Sequence, residues 1–170
     1  MRFATLTLLG ALAVAAPLGA QDIDYGDDSS DWARDGECDD RRFAGPGMAG
    51  SLGWRNTGRD ATDCSRLLAS GKVNYWNFGA ALAATQCGAI DFGDDSGEYA
   101  LDDECDDMRF EGPGMASGVS IDNIRTDASD CSRMCRFGII ALREFTPAPG
   151  ISPESTGLVQ PQSQNRSGAY

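Results

Sequence analysis

With 170 residues, 26 acidic side chains against 14 basic ones and a net charge of −12, the chain is about one ordinary domain long and strongly anionic. That balance disfavours nucleic acid, whose phosphates it would repel, and gives no basic patch for anionic lipid. The chain has no His, which removes the Ser–His–Asp and Cys–His nucleophile systems. With no G-x-S-x-G, Walker or dinucleotide fingerprint either, a non-enzymatic role is expected.

Residues 1–20 have the three parts of a secretory signal peptide: Arg2, an apolar run from Leu6 to Ala16, and small residues up to Ala20. The run is shorter than the roughly 20 residues that span a bilayer, and no other segment is apolar enough. Export to the periplasm or the medium is therefore expected, without membrane insertion. All six Cys lie beyond the signal, an even count that suits disulfides in an oxidising compartment. A zinc site wants His partners or C-x-x-C pairs, and neither is present.

Shifted by 67 residues, the chain aligns with itself without a gap, and 27 of the 51 positions from 23 to 73 are identical to their partners. Ile23-Asp-Tyr-Gly-Asp-Asp-Ser29 falls on Ile90-Asp-Phe-Gly-Asp-Asp-Ser96, and Gly45-Pro-Gly-Met-Ala49 falls on Gly112-Pro-Gly-Met-Ala116. The fold class this implies is a small, disulfide-stapled, loop-rich α+β protein: two tandem repeats of one irregular unit, each with short strands and a short helix. Residues 21–73 form the first unit and 90–145 the second. Segment 74–89, apolar and Ala-rich over Phe78–Ala84, is a helical linker, and 146–170, rich in Pro, Ser, Gln and Gly, is a disordered tail.

Within each unit a short strand is expected at Ile23–Tyr25 or Ile90–Phe92, followed by an acidic turn at Asp27-Asp28 or Asp94-Asp95. The G-P-G stretch cannot continue a helix or an inner strand. A short helix then starts near Asp60 or Asp127, with Thr62 or Ser129 as its cap, and stops at Gly71 or Gly138. Tyr25/Phe92, Trp32/Tyr99, Phe43/Phe110 and Met48/Met115 are the core candidates. The middle, 50–59 against 117–126, has diverged almost completely and reads as a variable surface loop.

The repeat suggests the cysteine pairing. Cys38 and Cys64 occupy the same places as Cys105 and Cys131, so the simplest scheme joins Cys38 to Cys64 and Cys105 to Cys131, leaving Cys87 for Cys135. Pairing across the two units is the alternative. Closing one such loop contributes roughly 3–3.5 kcal/mol in the chain-entropy account, which matters to units with little core. In this scheme the bridges gather Glu37, Asp39 and Asp40 beside Asp60 and Asp63, and Glu104, Asp106 and Asp107 beside Asp127 and Asp130. Crowded carboxylates repel one another, and Arg42 and Arg66 offset only part of that repulsion. A hard divalent cation, calcium above all, suits such oxygen-rich sites. As a competing reading, Asp60 and Asp127 are helix N-caps, and Asp63 and Asp130 are favourable first-turn charges.

D-G-E-C-D-D followed by D-A-T-D-C resembles the core of the small calcium-binding disulfide modules of the Lin12/Notch type, and LDL-receptor class A modules are similar in general plan. The resemblance covers about 30 residues per unit. It implies calcium ligation by Asp39, Asp60 and Asp63, and by Asp106, Asp127 and Asp130. Those families use three disulfides per module where each unit here offers one. The unit also resembles an uncharacterised acidic module of secreted bacterial proteins. An EF-hand does not fit, because the loop opening at Asp22 has Ala33 where Glu is required. The expected function is an exported, non-catalytic calcium-type binding or interaction module whose partner is another exported protein or an envelope component. The alternative is a metal-free, disulfide-held structural or adaptor protein.

Overall fold

The computed structural model describes residues 23–144. The signal peptide expected at 1–20 and the tail expected from 146 lie outside the described residues. In chain order the first half runs through β1 (Phe43–Ala44), β2 (Ser51–Gly53), α1 (Ala61–Ala69) and β3 (Asn74–Tyr75). Helix α2 (Phe78–Ala84) connects it to the second half: β4 (Cys105–Asp107), β5 (Phe110–Glu111), β6 (Met115–Ser120), α3 (Ala128–Arg136) and β7 (Ala141–Leu142). The result is a disulfide-rich α+β fold with very short strands. No helix among the described residues is long and apolar enough to cross a membrane.

The disulfides are Cys38–Cys64, Cys105–Cys131 and Cys87–Cys135, the simplest of the pairings the sequence allowed. The first two each join a strand-like segment to the helix that follows it. Helix α1 buries Asp63, Cys64 and Leu67, and α3 buries Asp130, Cys131, Met134 and Cys135, a single face at helical spacing. Both helices stop where expected, at Gly71 and Gly138, whose left-handed φ values of 71° and 69° let the chain fold back. Lys72 N–H then reaches Leu67 C=O, and Ile139 N–H reaches Met134 C=O.

Three local expectations differ. Ile23–Tyr25 and Ile90–Phe92 are not strands; only Gly26 and Gly93 form isolated bridges, to Arg59 and Thr126. These glycines approach so closely that a Cβ on Gly26 would lie 1.9 Å from the Gly58 carbonyl oxygen, and one on Gly93 equally close to that of Arg125. Thr62 and Ser129 do not cap their helices either. Asp28 accepts from the Thr62 amide and hydroxyl, and Asp95 from those of Ser129, so a distant acid satisfies the helix start. Among the core candidates, Phe43, Phe110 and Met115 are buried, and Tyr25 and Phe92 stack on the two Phe rings. Trp32 and Tyr99 are not core residues and stand exposed in the loops ahead of Asp35 and Asp102.

The diverged middle is only partly a surface loop. Its first residues form β2 and the end of β6, which pair antiparallel: Ser51 opposite Ser120, Leu52 opposite Val119, Gly53 opposite Gly118. Under the offset of 67 these pairs exchange with one another, and Leu52 and Val119, both buried, lie at the centre. The two halves therefore meet strand to strand through the segment that diverged most. A buried ion network adds to this contact. Arg41 forks onto Glu111 (3.0 and 3.2 Å) and donates to Ala116 C=O. Arg143 donates to Glu111 and to the carbonyls of Phe43 and Phe110.

The linker is helical over Phe78–Ala84, as its composition suggests, capped by Asn77 and packed on β7. Thr85 Oγ1 accepts from Leu142 N–H, and Trp76 Nε1–H donates to Leu142 C=O.

Candidate metal centres

Each acidic site is assembled beside its disulfide. Cys38 is tied to Cys64 one turn into α1, so the residues after Cys38 run past the start of that helix. Asp39 N–H thereby reaches the Asp60 carboxylate at the helix start, while the Asp40 carboxylate is held by Arg42 and the Gly58 amide.

Asp60 occupies the N-cap position, but its side chain does not cap α1. Its Oδ2 accepts from Asp39 N–H at 2.8 Å and lies 3.5 Å from Cys64 Sγ. Asp63, in the first turn, accepts from Gly36 N–H at 2.9 Å. In the second half Asp127 Oδ2 accepts from Asp106 N–H at 2.9 Å, and Asp130 accepts from Asp103 N–H at 3.2 Å. These bonds clamp each acidic loop onto the helix that follows. They also leave two oxygens per site without a partner.

Those oxygens are Asp39 Oδ2 and Asp60 Oδ1 in the first half, and Asp106 Oδ2 and Asp127 Oδ1 in the second. All four residues are 5% exposed or less. Buried polar atoms nearly always have a partner, and among the described residues only Thr57 Oγ1 shares this condition. Burial, and then the surrounding carboxylates, make the charge costly. Asp39 is pushed up to about 7 by burial first, then by Asp35, Asp60, Glu37 and Asp63. Asp60 rises to about 6 through burial, against the pull of the Asp39 amide. Asp106 and Asp127 rise to about 6 for the same reasons, with Asp102, Glu104 and Asp130 among the neighbouring charges.

Asp39, Asp60 and Asp63 are neighbouring charges, as are Asp106, Asp127 and Asp130, but among the described residues no three of these carboxylates come within 4.8 Å of one another. Glu37 and Glu104 are exposed at the rim of their sites. Asp40 and Asp107 serve elsewhere: Arg42 and Arg109 fork onto them, and the amides of Gly58 and Arg125 donate to them. Sequence reasoning passed over Asp35 and Asp102, which stand among the charges acting on Asp39 and Asp106 and whose carboxylates accept from the Glu37 and Glu104 amides. Their identity in both copies was the available signal.

The donor set is oxygen only. Cys38 and Cys64 lie close to Asp60, as do Cys105 and Cys131 to Asp127, but all four sulfurs are oxidised into disulfides and offer no thiolate. With no His in the chain, the sites fit a hard cation and not a soft one. No protein-family model, curated protein or solved structure matches this chain.

Proposed function

We propose that the protein is an exported, non-catalytic binding module made of two tandem copies of one unit, each holding one calcium-type ion beside its disulfide. The observation that carries this reading is the pair of buried, unpartnered carboxylate oxygens on Asp39 and Asp60, repeated on Asp106 and Asp127. A divalent ion between each pair supplies the missing partner and offsets the burial, and the lesser repulsion, that raise their pKa values. Asp63 or Asp130, the rim Glu37 or Glu104, and water complete the oxygen shell, which for calcium holds about 6–8 ligands. Three disulfides favour an oxidising, extracytoplasmic setting. The resemblance to Lin12/Notch-type modules rests on the same acids.

The test is a thermal melt of the oxidised protein at pH 7.5 in millimolar calcium or in chelator. Ligand at a hundred times its Kd stabilises by about 2.7 kcal/mol per site, so a Tm rise of several degrees is expected. Titration calorimetry should count two ions, and one in either Asp60→Asn or Asp127→Asn. No heat together with an unchanged Tm overturns the reading.

A metal-free structural or adaptor role is the second reading. It is favoured by the same raised pKa values, since each Asp pair can take a proton in place of an ion as pH falls to about 6. An unshifted melt in calcium, with the chain folded, is its expected result.

A further inference from the structure

The two acidic sites open onto one cleft of about 970 Å³ that lies between the halves. Asp35, Glu37 and Asp39 line one side; Asp102, Glu104 and Asp106 line the other. Among the residues lining it, only Arg55 carries positive charge. Trp32 and Tyr99 also line it, 60% and 52% exposed, which is unusual for large aromatic side chains. The floor is the β2–β6 ribbon, whose Ser51, Gly53, Ser117 and Gly118 present no bulk to an approaching backbone. Asp39 and Asp106, each more than nine-tenths buried and each carrying an unpartnered oxygen, reach this cleft from opposite walls.

We infer that the cleft is a docking surface for an extended, basic segment of another exported protein, with one cationic side chain on each acidic wall. Charge complementarity selects a cation, and the two exposed rings that line the cleft add cation–π or stacking contact. The open, polar shape suits a peptide better than an enclosed apolar ligand. The span sets the spacing. Cys38 pairs beside Met48 just ahead of β2, β2 pairs with β6, and β6 pairs with β4. Three strand spacings of about 4.8 Å separate the acidic walls by about 14 Å. An extended chain rises about 3.3 Å per residue, so basic residues four positions apart, which share a face, match that distance. The inference does not depend on metal binding, because the acids at the rim outnumber what two divalent ions would neutralise.

The probe is a blocked seven-residue peptide with two lysines four positions apart and Thr or Ser elsewhere. It is titrated into the oxidised mature chain at low ionic strength, once in calcium and once in chelator. Binding is expected in both, weakening as salt is raised. A control peptide with adjacent lysines, which point to opposite faces, should bind at least ten-fold more weakly. The Trp32→Ala/Tyr99→Ala and Asp35→Asn/Asp102→Asn double variants change exposed residues, and Asn keeps the acceptor for the Glu37 and Glu104 amides. Each should lose at least ten-fold in affinity. No binding, equal binding of the two peptides, or undiminished binding by both double variants overturns the inference. Peptide binding without a calcium effect on Tm would reject the metal reading alone.

Discussion

The two halves keep the same local sites and differ where they touch each other. Residues 23–76 and 90–143 share the disulfide, the buried Asp pair, the Asp40–Arg42 or Asp107–Arg109 fork, and the short sheet beside the helix. They differ at a linked set of three positions. Arg41, Ala44 and Trp76 of the first half stand where the second has Met108, Glu111 and Arg143. Arg41, Glu111 and Arg143 meet in one buried ion network, and the equivalent place across the offset holds Met108, Ala44 and Trp76. A buried ion network is favourable only when complete, so its members are gained or replaced together. A site enclosed within one half keeps its disulfide and its buried Asp pair in both. A contact between halves is free to use a different chemistry on each side.

Breaking that network tests the difference most severely. Glu111→Ala leaves two buried guanidinium groups facing each other, and Arg143 is already depressed to about 10 by burial. Removing one partner of a buried ion group costs about 3–5 kcal/mol. Denaturant unfolding of the oxidised protein should show a loss of that order. Adding Arg41→Met and Arg143→Trp, which copies the apolar set, should recover at least half of it. If the single substitution is silent, the network does not hold the halves together.

The next largest effect is on pH dependence, and it tests what the halves share. Asp39, Asp60, Asp106 and Asp127 have folded pKa values of about 6–7 against an ordinary value of 3.8. Between those limits the folded state binds more protons than the unfolded state, so metal-free stability falls as pH rises from about 4 to about 7. Asp27, Asp28, Asp94 and Asp95 act in the opposite sense. Their pKa values are lowered by bonds from Ser29, Thr62, Ser96 and Ser129, and the stability they add is lost as pH drops below about 4. The metal-free Tm should therefore peak near pH 4–5 and decline toward neutrality. Asp39→Asn and Asp106→Asn should each flatten the decline, because both carboxyls are raised by burial. A melt series from pH 3.5 to 8 in chelator checks both points.

How much of this was readable beforehand follows from what is local in the chain. The helix ends, the disulfides and the acid-bearing loops depend on residues near one another or on places marked by the repeat. Asp39 and Asp60 could be named because D-D and D-A-T-D flank bridged Cys. The split between Asp39 and Asp40 could not, because it needs the extended conformation at Cys38 and the Arg42 fork. The diverged stretch misled because divergence reads as exposure. In fact Leu52 and Val119 are buried apolar residues that face each other in one ribbon. Trp32 and Tyr99 read as core residues because both are aromatic at matching positions, and nothing in the sequence marks them as lining a cleft.

A finer difference separates the sites themselves. In the second half Arg133 donates to Asp130 at 2.6 Å and to Asp103 at 2.7 Å, whereas in the first half Arg66 stays 3.7 Å from Asp63 and Gly36 replaces Asp103. Arg133 therefore competes with an incoming cation for the Asp130 carboxylate, and Arg66 does so only weakly. Calcium titration of Arg133→Ala should show the second site tightening by several-fold. Arg66→Ala should change the first site by less than two-fold. Equal responses would mean that the guanidinium contacts do not tune the sites.

The smallest expected effect concerns backbone strain, which is also unequal. At the turn that meets the bridge glycine, the first half has Gly58 with φ of 68°, and the second has Arg125 with φ of 66°. A side chain in the left-handed region costs roughly 1–2 kcal/mol, and Gly relieves that cost at some loss of unfolded-state entropy. Arg125 also pairs with exposed Asp91, a surface contact of little worth. The amide of residue 125 would still donate to Asp107 after substitution, since that bond belongs to the backbone. Arg125→Gly should therefore stabilise the protein by about 0.5–1 kcal/mol net. A Tm rise in chelator that is independent of salt would identify strain relief as the cause. A fall in Tm that shrinks with added salt would instead assign the residue's value to its ion pair with Asp91.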